Sequence, residues 1–307
     1  MPPFRFGVQL SKADTGAAWR STARKVEDLG YSTLFIPDHF EDQFGPLVAL
    51  TVAAEATTSL RVGSLVFGND YRHPVVLAKE VATLDLFSEG RVEFGLGAGW
   101  MTTDYDESGI ALDPPLARVE RMREGLAIMR ALWSEGKVTF SGSYYKVTDA
   151  QGLPQPGSVP AIVIGGGGRR ILSIAAQEAD VVGVNLDLRS GAVDANALAG
   201  VLPERWDERL AWVRAAAGPR FDALELQVLM FLVMVGKPQR QALEEVAKMF
   251  ALPVEVLADV PLGVAGTVDE VCMQLEARRE RWGFNYFVVH EGDVDAFAPV
   301  VERLRGT

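Results

Sequence analysis

The sequence PAIVIGGGGRRILSIAAQEADVVGV, residues 160–184, contains one complete strand–helix–strand unit. Its apolar run at 161–164 is followed by four glycines, a helical pattern through Ala176 and a second apolar run at 181–184. Short continuous apolar runs are typical of parallel strands that are buried on both faces. Parallel strands need a crossover connection, so the segment predicts a βαβ unit.

The same alternation of apolar runs and helical patterns continues along the chain in both directions. Each predicted strand is followed by a predicted helix. The strands are predicted at residues 4–10, 33–36, 60–67, 91–97, 161–164, 181–184, 224–235 and 285–289. Eight such units predict the α/β class and a single (β/α)₈ TIM barrel with insertion segments. We expect one domain that covers residues 1–307.

Three segments interrupt this rhythm. Residues 137–148 alternate around Ser141 and Gly142, which predicts a small hairpin insertion. Residues 185–222 begin without a clear pattern, and residues 100–113 are predicted to be a loop. Long irregular segments in a compact domain are usually lids or binding loops, so both are expected to cover the active site.

Composition excludes several classes of function. Lysine plus arginine is 30 and aspartate plus glutamate is 41, a net charge of −11, which argues against a nucleic-acid partner. The single cysteine excludes a disulfide framework, and the three histidines lack metal-ligand spacing, so no metal site is expected. The chain has no apolar run of about 18 residues and no basic–apolar start, which predicts a cytoplasmic protein without a membrane partner.

The carboxyl ends of the strands are the expected position of the active site in a barrel of this kind. His39 follows the second predicted strand, and an unperturbed imidazole titrates at about pH 6.5. His39 is therefore the candidate acid or base, and the alternative is a histidine that hydrogen-bonds a loop carbonyl. His73 precedes Pro74 at a helix start and is interpreted as a cap or a ligand contact, whereas His290 is interpreted as structural.

Two glycine-rich segments lie at strand ends. Residues 165–168 and Arg169 join a strand to a helix start, where free backbone N–H groups favour a phosphate; the alternative is a tight βα turn. The dinucleotide fingerprint fails there, because Arg170 occupies its third glycine position. The segment GLGAGW (95–100) also departs from that spacing, and WMTTDYDESG (100–109) does not predict an apolar helix. A separate NAD-binding domain is therefore not expected.

These segments together resemble the luciferase-like monooxygenase superfamily, in particular the branch that uses the deazaflavin coenzyme F-420. The resemblance spans nearly the whole chain, in order. It is carried by IPDHF (36–40), VGSLVFGNDYRHPVVLAKEVATLD (62–85), GRVEFGLGAGW (90–100), PAIVIGGGGRRILSIAAQEADVVGVN (160–185) and GTVDEVCMQLEARRERWGFNYFVV (266–289).

The resemblance implies a barrel with an insertion, a flavin-type ring at the strand ends and a homodimer. It implies that His39 is catalytic and lies beside the ring, and that a non-proline cis peptide within 64–66 supports the ring. The coenzyme-binding residues implied are Asp38, His39, Ser64, Leu65, Val66, Asn69, Gly97, Ala98, Gly99, Gly165, Gly166, Gly167, Gly168 and Arg169. The expected substrate pocket contains Gln9, Gln43, Trp100 and Asn185.

Two positions depart from the sugar-phosphate and alcohol dehydrogenases of this branch. Trp100 stands where those enzymes carry a glutamate, and Gln43 stands where they carry a tryptophan. The acid–base pair therefore lacks its second member, and we expect a different substrate pocket.

The resulting hypothesis is an F-420-dependent oxidoreductase that transfers a hydride to or from a small organic substrate. Reduction of an activated C=C or C=N bond is the favoured direction. One alternative is an FMN-dependent luciferase-like monooxygenase, because the two coenzymes share a ring shape. A further alternative is a barrel that binds a coenzyme without catalysing a reaction.

Overall fold

The computed structural model describes residues 2–192, 199–250 and 254–307. Residues 193–198, which are part of the predicted lid segment, lie outside the described residues. Among the described helices, none is both long and apolar enough to cross a membrane.

The central sheet is a closed parallel barrel. Its strands follow the order β3-β2-β1-β13-β10-β9-β8-β5-β4, and pairing between β3 and β5 closes the ring. Because β3 and β4 are two parts of one interrupted strand, the barrel has the eight strands that the sequence predicted. The strands are β1 Arg5–Gln9, β2 Thr33–Ile36, β3 Arg61–Ser64, β4 Phe67–Gly68, β5 Val92–Gly97, β6 Lys137–Ser141, β7 Lys146–Gln151, β8 Ala161–Gly166, β9 Val181–Val184, β10 Glu225–Leu229, β11 Leu232–Val235, β12 Gly263–Gly266 and β13 Phe284–His290.

Helices cover the outside of the barrel, and their ends follow local capping chemistry. The Thr15 side chain accepts a hydrogen bond from the Ala18 N–H, and Thr267 and Glu270 form the predicted capping box. Pro46 and Pro74 occupy first-turn positions. The helices are α1 Gly16–Asp28, α2 Pro46–Ala56, α3 Pro74–Phe87, α4 Thr102–Ser108, α5 Pro115–Ser134, α6 Arg169–Glu178, α7 Pro203–Ala217, α8 Gln239–Phe250, α9 Val254–Ala258, α10 Val268–Trp282 and α11 Val294–Leu304.

The seventh predicted strand, 224–235, is wrong as a single element. The Met230 N–H bonds to Val288 in the barrel, but the Phe231 N–H bonds to the carbonyl of Leu262. The chain changes its ladder partner at this point, so β10 stays in the barrel and β11 pairs with β12 outside it. The strand β12 was not predicted.

The predicted hairpin is confirmed, since β6 and β7 pair antiparallel. Its turn is attached to α5, because the Glu124 carboxylate accepts the backbone N–H groups of Ser143, Tyr144 and Tyr145.

The two ends of the barrel differ in chemistry. At the amino-terminal end, Arg5 forms ion pairs with Glu93 and Glu225, and the Tyr286 hydroxyl donates to Glu93 at 3.0 Å. In barrels of this type the amino-terminal end contributes to stability, and this network closes that end. The opposite end, formed by the carboxyl-terminal residues of the eight strands from Gln9 to His290, is called the barrel mouth below.

Candidate active site

His39 lies at the barrel mouth, three residues after β2, and is held by a buried carboxylate. Its Nδ1 atom is 2.6 Å from Oδ2 of Asp104, a residue of α4 that is 2% exposed. The other carboxylate oxygen accepts the backbone N–H of Phe40 at 3.1 Å, and the Tyr71 hydroxyl donates to Oδ2 at 2.9 Å. Because Nδ1 is engaged with Asp104, Nε2 is the ring nitrogen left for other partners.

Asp104 and Tyr71 were not predicted from the sequence. The segment 100–113 was predicted to be a loop, which is wrong because α4 forms within it; its expected role in covering the active site stays a prediction. This helix has a weak apolar pattern, and it is fixed instead by burial of Asp104 and Tyr105. The sequence does contain a signal, since Asp104 lies four residues after Trp100. Trp100 is the position at which the family resemblance suggested that a carboxylate was missing.

Aromatic side chains surround His39. The Trp100 ring meets the imidazole edge-on, with ring centroids 5.8 Å apart and an interplanar angle of 88°. The Phe40 ring lies 4.8 Å from the Tyr71 ring and is 47% exposed. An exposed aromatic side chain beside a half-buried imidazole is typical of a ligand-binding cleft rather than of a folded core.

The peptide bond between Leu65 and Val66 is cis, which confirms the expectation for residues 64–66. Its carbonyl accepts a hydrogen bond from Gln9 Nε2 at 2.9 Å, and the buried Ser64 hydroxyl donates to the Ile36 carbonyl at 2.8 Å. Leu65 and Val66 are half-buried at the mouth. Gln9 therefore supports this bulge from β1, which is separated from β3 by β2 in the barrel.

Asp38 and Asn69 bond to the protein itself. The Asp38 carboxylate receives both terminal nitrogens of Arg72, at 2.5 and 3.0 Å, and the Gly68 N–H at 3.0 Å. Asn69 Nδ2 donates to the Tyr145 hydroxyl of the hairpin at 3.1 Å. Both side chains are buried; Asp38 fixes the chain just after the bulge through Gly68, and Asn69 connects this segment to the hairpin.

Gln43 and Asn185 also use their side chains locally. Gln43 Nε2 donates to the Pro37 carbonyl at 2.8 Å, and Asn185 Oδ1 accepts the Leu186 N–H at 2.8 Å. Both residues remain half-buried, so part of each side chain is accessible.

The glycines at the carboxyl end of β5 are required by the protein's own packing. A Cβ atom on Gly97 would overlap the Val66 side chain. Gly99 has φ +74°, and a Cβ atom there would overlap the Tyr105 hydroxyl. The intervening Ala98 packs against the outer core.

The glycines at the carboxyl end of β8 differ from one another. A Cβ atom on Gly165 would have one neighbour within 4 Å, the Gly183 carbonyl oxygen at 3.7 Å, so this position has room for a side chain. On Gly166 it would overlap Ile171, and on Gly167 it would overlap the Leu186 backbone. Gly165 therefore marks a recess, whereas its neighbours are fixed by packing.

The start of α6 has free backbone donors but mixed charge. Its cap residue Gly168 supplies no side-chain hydrogen bond, and Arg169 is exposed in the first turn. Arg170 pairs with Glu120, away from the helix start. The Asp187 side chain lies beside Gly168 and forms an ion pair with Arg189. Its negative charge partly balances the positive end of the helix.

The chain matches the family model described as luciferase-like monooxygenase over residues 2–255. The chain belongs to the luciferase-like monooxygenase family.

Relatives of this luciferase-like protein include F-420-dependent enzymes. An F-420-dependent glucose-6-phosphate dehydrogenase of Amycolatopsis mediterranei is 30% identical over 166 residues, which are 52% of this chain and 50% of that protein. The alignment thus spans about half the length of that curated relative.

Solved structures agree on the fold. The coenzyme F-420-dependent tetrahydromethanopterin reductase from Methanopyrus kandleri superposes with a TM-score of 0.78 at 19% identity, and 98% of each chain is covered. The oxygenating constituent of 3,6-diketocamphane monooxygenase from Pseudomonas putida, in complex with FMN, gives a TM-score of 0.69 at 17% identity, with 98% and 96% covered.

A second histidine of this luciferase-like protein lies across β1 from His39. The Cα atom of His290 pairs with that of Gln9, and its ring lies 5.5 Å from the ring of Phe231, which is 54% exposed. Burial lowers the pKa of His290, against the charge of nearby Asp293, so its imidazole is neutral at neutral pH. His73 is a helix cap, since its Nδ1 accepts the Val75 N–H at 3.3 Å.

Within residues 2–192, 199–250 and 254–307, no group of three or more histidine, cysteine, aspartate or glutamate side chains has the arrangement of a metal site.

Proposed function

We propose that this luciferase-like protein is an F-420-dependent oxidoreductase that transfers a hydride between the coenzyme and a small neutral organic substrate. The observation that carries the proposal is the His39 imidazole at the barrel mouth, with Nδ1 on a buried carboxylate and Nε2 free for a reacting partner. The sequence relationship to an F-420-dependent dehydrogenase supports the choice of coenzyme.

The residues at the mouth fit a flat ring with an anionic tail. The recess at Gly165 is a place that a side chain would otherwise fill, and it adjoins Gly183 on the next strand. Gln227, 1% exposed and beside Gly183, has an Nε2 donor without an acceptor among the described residues, which supports the proposal that a polar atom of the coenzyme binds there. We propose that Leu65 and Val66 support the ring and that Arg169 with the α6 N–H groups holds the phosphate.

The coenzyme supplies a hydride when it is bound in its reduced form. His39, as imidazolium, would deliver the accompanying proton from Nε2 to the substrate and become neutral imidazole. Reduction of a C=C or C=N bond consumes one hydride and one proton, so charge and atoms balance. Trp100 would exclude water from this proton transfer by covering one side of the imidazole.

The substrate proposed is neutral and largely apolar. Exposed or half-buried aromatic side chains, Phe40, Trp100 and Phe231, line the mouth on both sides of β1. Trp100 adds apolar surface where the related dehydrogenases carry a glutamate, according to the resemblance. This chemistry favours an activated alkene or imine over a sugar phosphate.

The second candidate is an FMN-dependent monooxygenase. It is supported by the fold shared with a diketocamphane monooxygenase that binds FMN. The two coenzymes differ in oxygen chemistry, since reduced FMN activates oxygen and a deazaflavin reacts with it poorly.

We also propose one barrel domain over residues 1–307 and a homodimer. Helices α2 and α3 leave large apolar side chains exposed, and apolar surface of this kind usually marks an interface. These side chains are Val48, Val76, Leu86 and Phe87. Sedimentation analysis tests this proposal, and a monomer at micromolar concentration would contradict it.

A binding titration tests the choice of coenzyme. Purified protein is titrated separately with oxidised F-420 and with FMN, and the absorbance of each coenzyme is followed. We expect the tighter dissociation constant for F-420. Saturable binding of FMN alone would favour the monooxygenase, and binding of neither would remove the proposed function.

A further inference from the structure

We infer that Asp104 is a positioning residue that holds His39 in one tautomer, with the proton on Nδ1 and Nε2 presented to the barrel mouth. The inference deepens the proposed function and rests on it for its catalytic meaning. Its structural part concerns only this chain and can be measured without a coenzyme.

The donors around Asp104 determine where the shared proton lies. Its carboxylate already accepts two hydrogen bonds, from the Phe40 N–H on Oδ1 and from the Tyr71 hydroxyl on Oδ2. A third contact, from His39 Nδ1 to Oδ2 at 2.6 Å, requires one proton between the two atoms. Because both carboxylate oxygens already accept hydrogen bonds, Asp104 is the acceptor in this contact as well, and the proton lies on His39 Nδ1.

Tyr71 keeps its role as a donor to Asp104. Burial, followed by the hydrogen bond to Asp104 and its negative charge, raises the pKa of the Tyr71 hydroxyl above its usual value. The phenol therefore stays protonated across the working pH range and cannot accept the Asp104 contact as an anion. Tyr71 is itself packed between the rings of Phe40 and Tyr105, with centroids 4.8 and 5.7 Å away.

The arrangement has a defined consequence for catalysis. With Nδ1 committed to Asp104, neutral His39 offers a lone pair at Nε2, and the imidazolium offers an N–H there. A single ring atom can thus both give and take a proton at the mouth. A carboxylate that fixes a histidine tautomer in this way contributes up to about 10⁴-fold to turnover in serine proteases.

The Asp104→Asn variant replaces a hydrogen-bond acceptor, the carboxylate Oδ2, with a donor, the amide NH₂ group. The asparagine carbonyl would still accept the Phe40 N–H, which places its NH₂ group where Oδ2 lies. That group donates to His39 Nδ1 and to the Tyr71 oxygen, so the imidazole proton must move to Nε2. Asp106→Asn is the matched control, since Asp106 is an exposed acid on the same helix.

The test is long-range proton–nitrogen NMR of ¹⁵N-histidine-labelled protein above pH 7, where neutral tautomers are distinguished by their nitrogen shifts. The chain has three histidines, and His39→Gln assigns the His39 signals by their loss. We expect the Nδ1–H tautomer in wild type, Asp106→Asn and Tyr71→Phe, and the Nε2–H tautomer in Asp104→Asn. If Asp104→Asn does not fold, the wild-type tautomer still tests the inference, and Tyr71→Phe shows whether the Asp104 contact holds it without the tyrosine hydroxyl.

An Nε2–H tautomer in the wild type would overturn the inference, as would an unchanged tautomer in folded Asp104→Asn. In turnover assays, we expect Asp104→Asn to lower kcat by about 10²- to 10⁴-fold, with the coenzyme dissociation constant within a few-fold of wild type. If the tautomer switch is observed but the protein binds no coenzyme, the positioning role of Asp104 stands and only the proposed function is contradicted.

Discussion

Replacement of His39 by glutamine separates proton transfer from coenzyme binding. The side chain makes one strong hydrogen bond to the protein, from Nδ1 to Asp104, and its Nε2 atom is free for the substrate. General acid catalysis is worth about 10²- to 10⁴-fold in rate. One neutral hydrogen bond to a ring is worth about 0.5–1.5 kcal/mol, which is at most about tenfold in a dissociation constant. The rate effect must therefore exceed the binding effect.

The assay measures both quantities on the same preparation. The coenzyme dissociation constant is obtained by absorbance titration, and kcat by anaerobic oxidation of the reduced coenzyme with a panel of activated alkenes and imines. We expect kcat to fall by about 10²-fold or more in His39→Gln, while the dissociation constant changes by less than about tenfold. His73→Asn is the control, because it preserves a cap at α3 and its exposed side chain packs against Tyr145 of the hairpin.

The opposite pattern would refute this reasoning. If the dissociation constant rises by more than tenfold and kcat stays at the wild-type value, His39 orients the ring and the proton comes from water or from the substrate.

Further substitutions test the recess, the apolar wall and a structural carboxylate. Gly165→Val should fill the recess beside Gly183 and weaken coenzyme binding without changing the melting temperature. The control Gly157→Val, at an exposed glycine, should change neither the coenzyme affinity nor the melting temperature. A coenzyme affinity of Gly165→Val equal to that of wild type would remove the recess from the coenzyme site. Phe231→Ala should raise the KM of apolar substrates more than that of polar ones, and a uniform effect would contradict the proposed substrate class. Glu27 makes a pH-dependent contact. Burial raises its pKa, but this effect is outweighed by hydrogen bonds from the Ser59 backbone and hydroxyl and from the Leu60 and Thr58 backbones, which lower the pKa to about 2. A pKa that is lower in the folded state stabilises the fold at pH values above the unfolded pKa, and this stabilisation is lost as the pH falls. The melting temperature of Glu27→Gln should therefore lie below that of wild type by its full amount above about pH 5, and the difference should vanish near about pH 2. A difference that is independent of pH would contradict this reasoning.

Much of the barrel could be predicted because its signals are local. Continuous apolar runs identify strands that are buried on both sides, and Pro46, Pro74 and the Thr267–Glu270 pair identify helix starts. The break within 224–235 could not be predicted, because β11 is as apolar as β10. Its departure from the barrel depends on a nonlocal hydrogen bond from Phe231 to Leu262.

For the candidate site, sequence position and resemblance indicated single residues near the strand ends. His39 and the bulge at 64–66 were identified from position and resemblance, and the cis bond is confirmed. The partner of His39 could not be identified, since Asp104 is separated from it by 65 residues and lies in a segment without a helical pattern. Likewise, no sequence pattern distinguishes Gly165, where a side chain has room, from Gly167, which packs against Leu186.

We propose that this luciferase-like protein transfers a hydride from reduced F-420 with a proton from His39. A decisive experiment mixes wild type and His39→Gln anaerobically with reduced F-420 and an activated alkene, and follows the return of oxidised-coenzyme absorbance together with the reduced product. We expect stoichiometric product with wild type, a loss of about 10²-fold or more in rate with His39→Gln, and no oxygen requirement. Product formed only with reduced FMN and oxygen, at equal rates in both proteins, would contradict it.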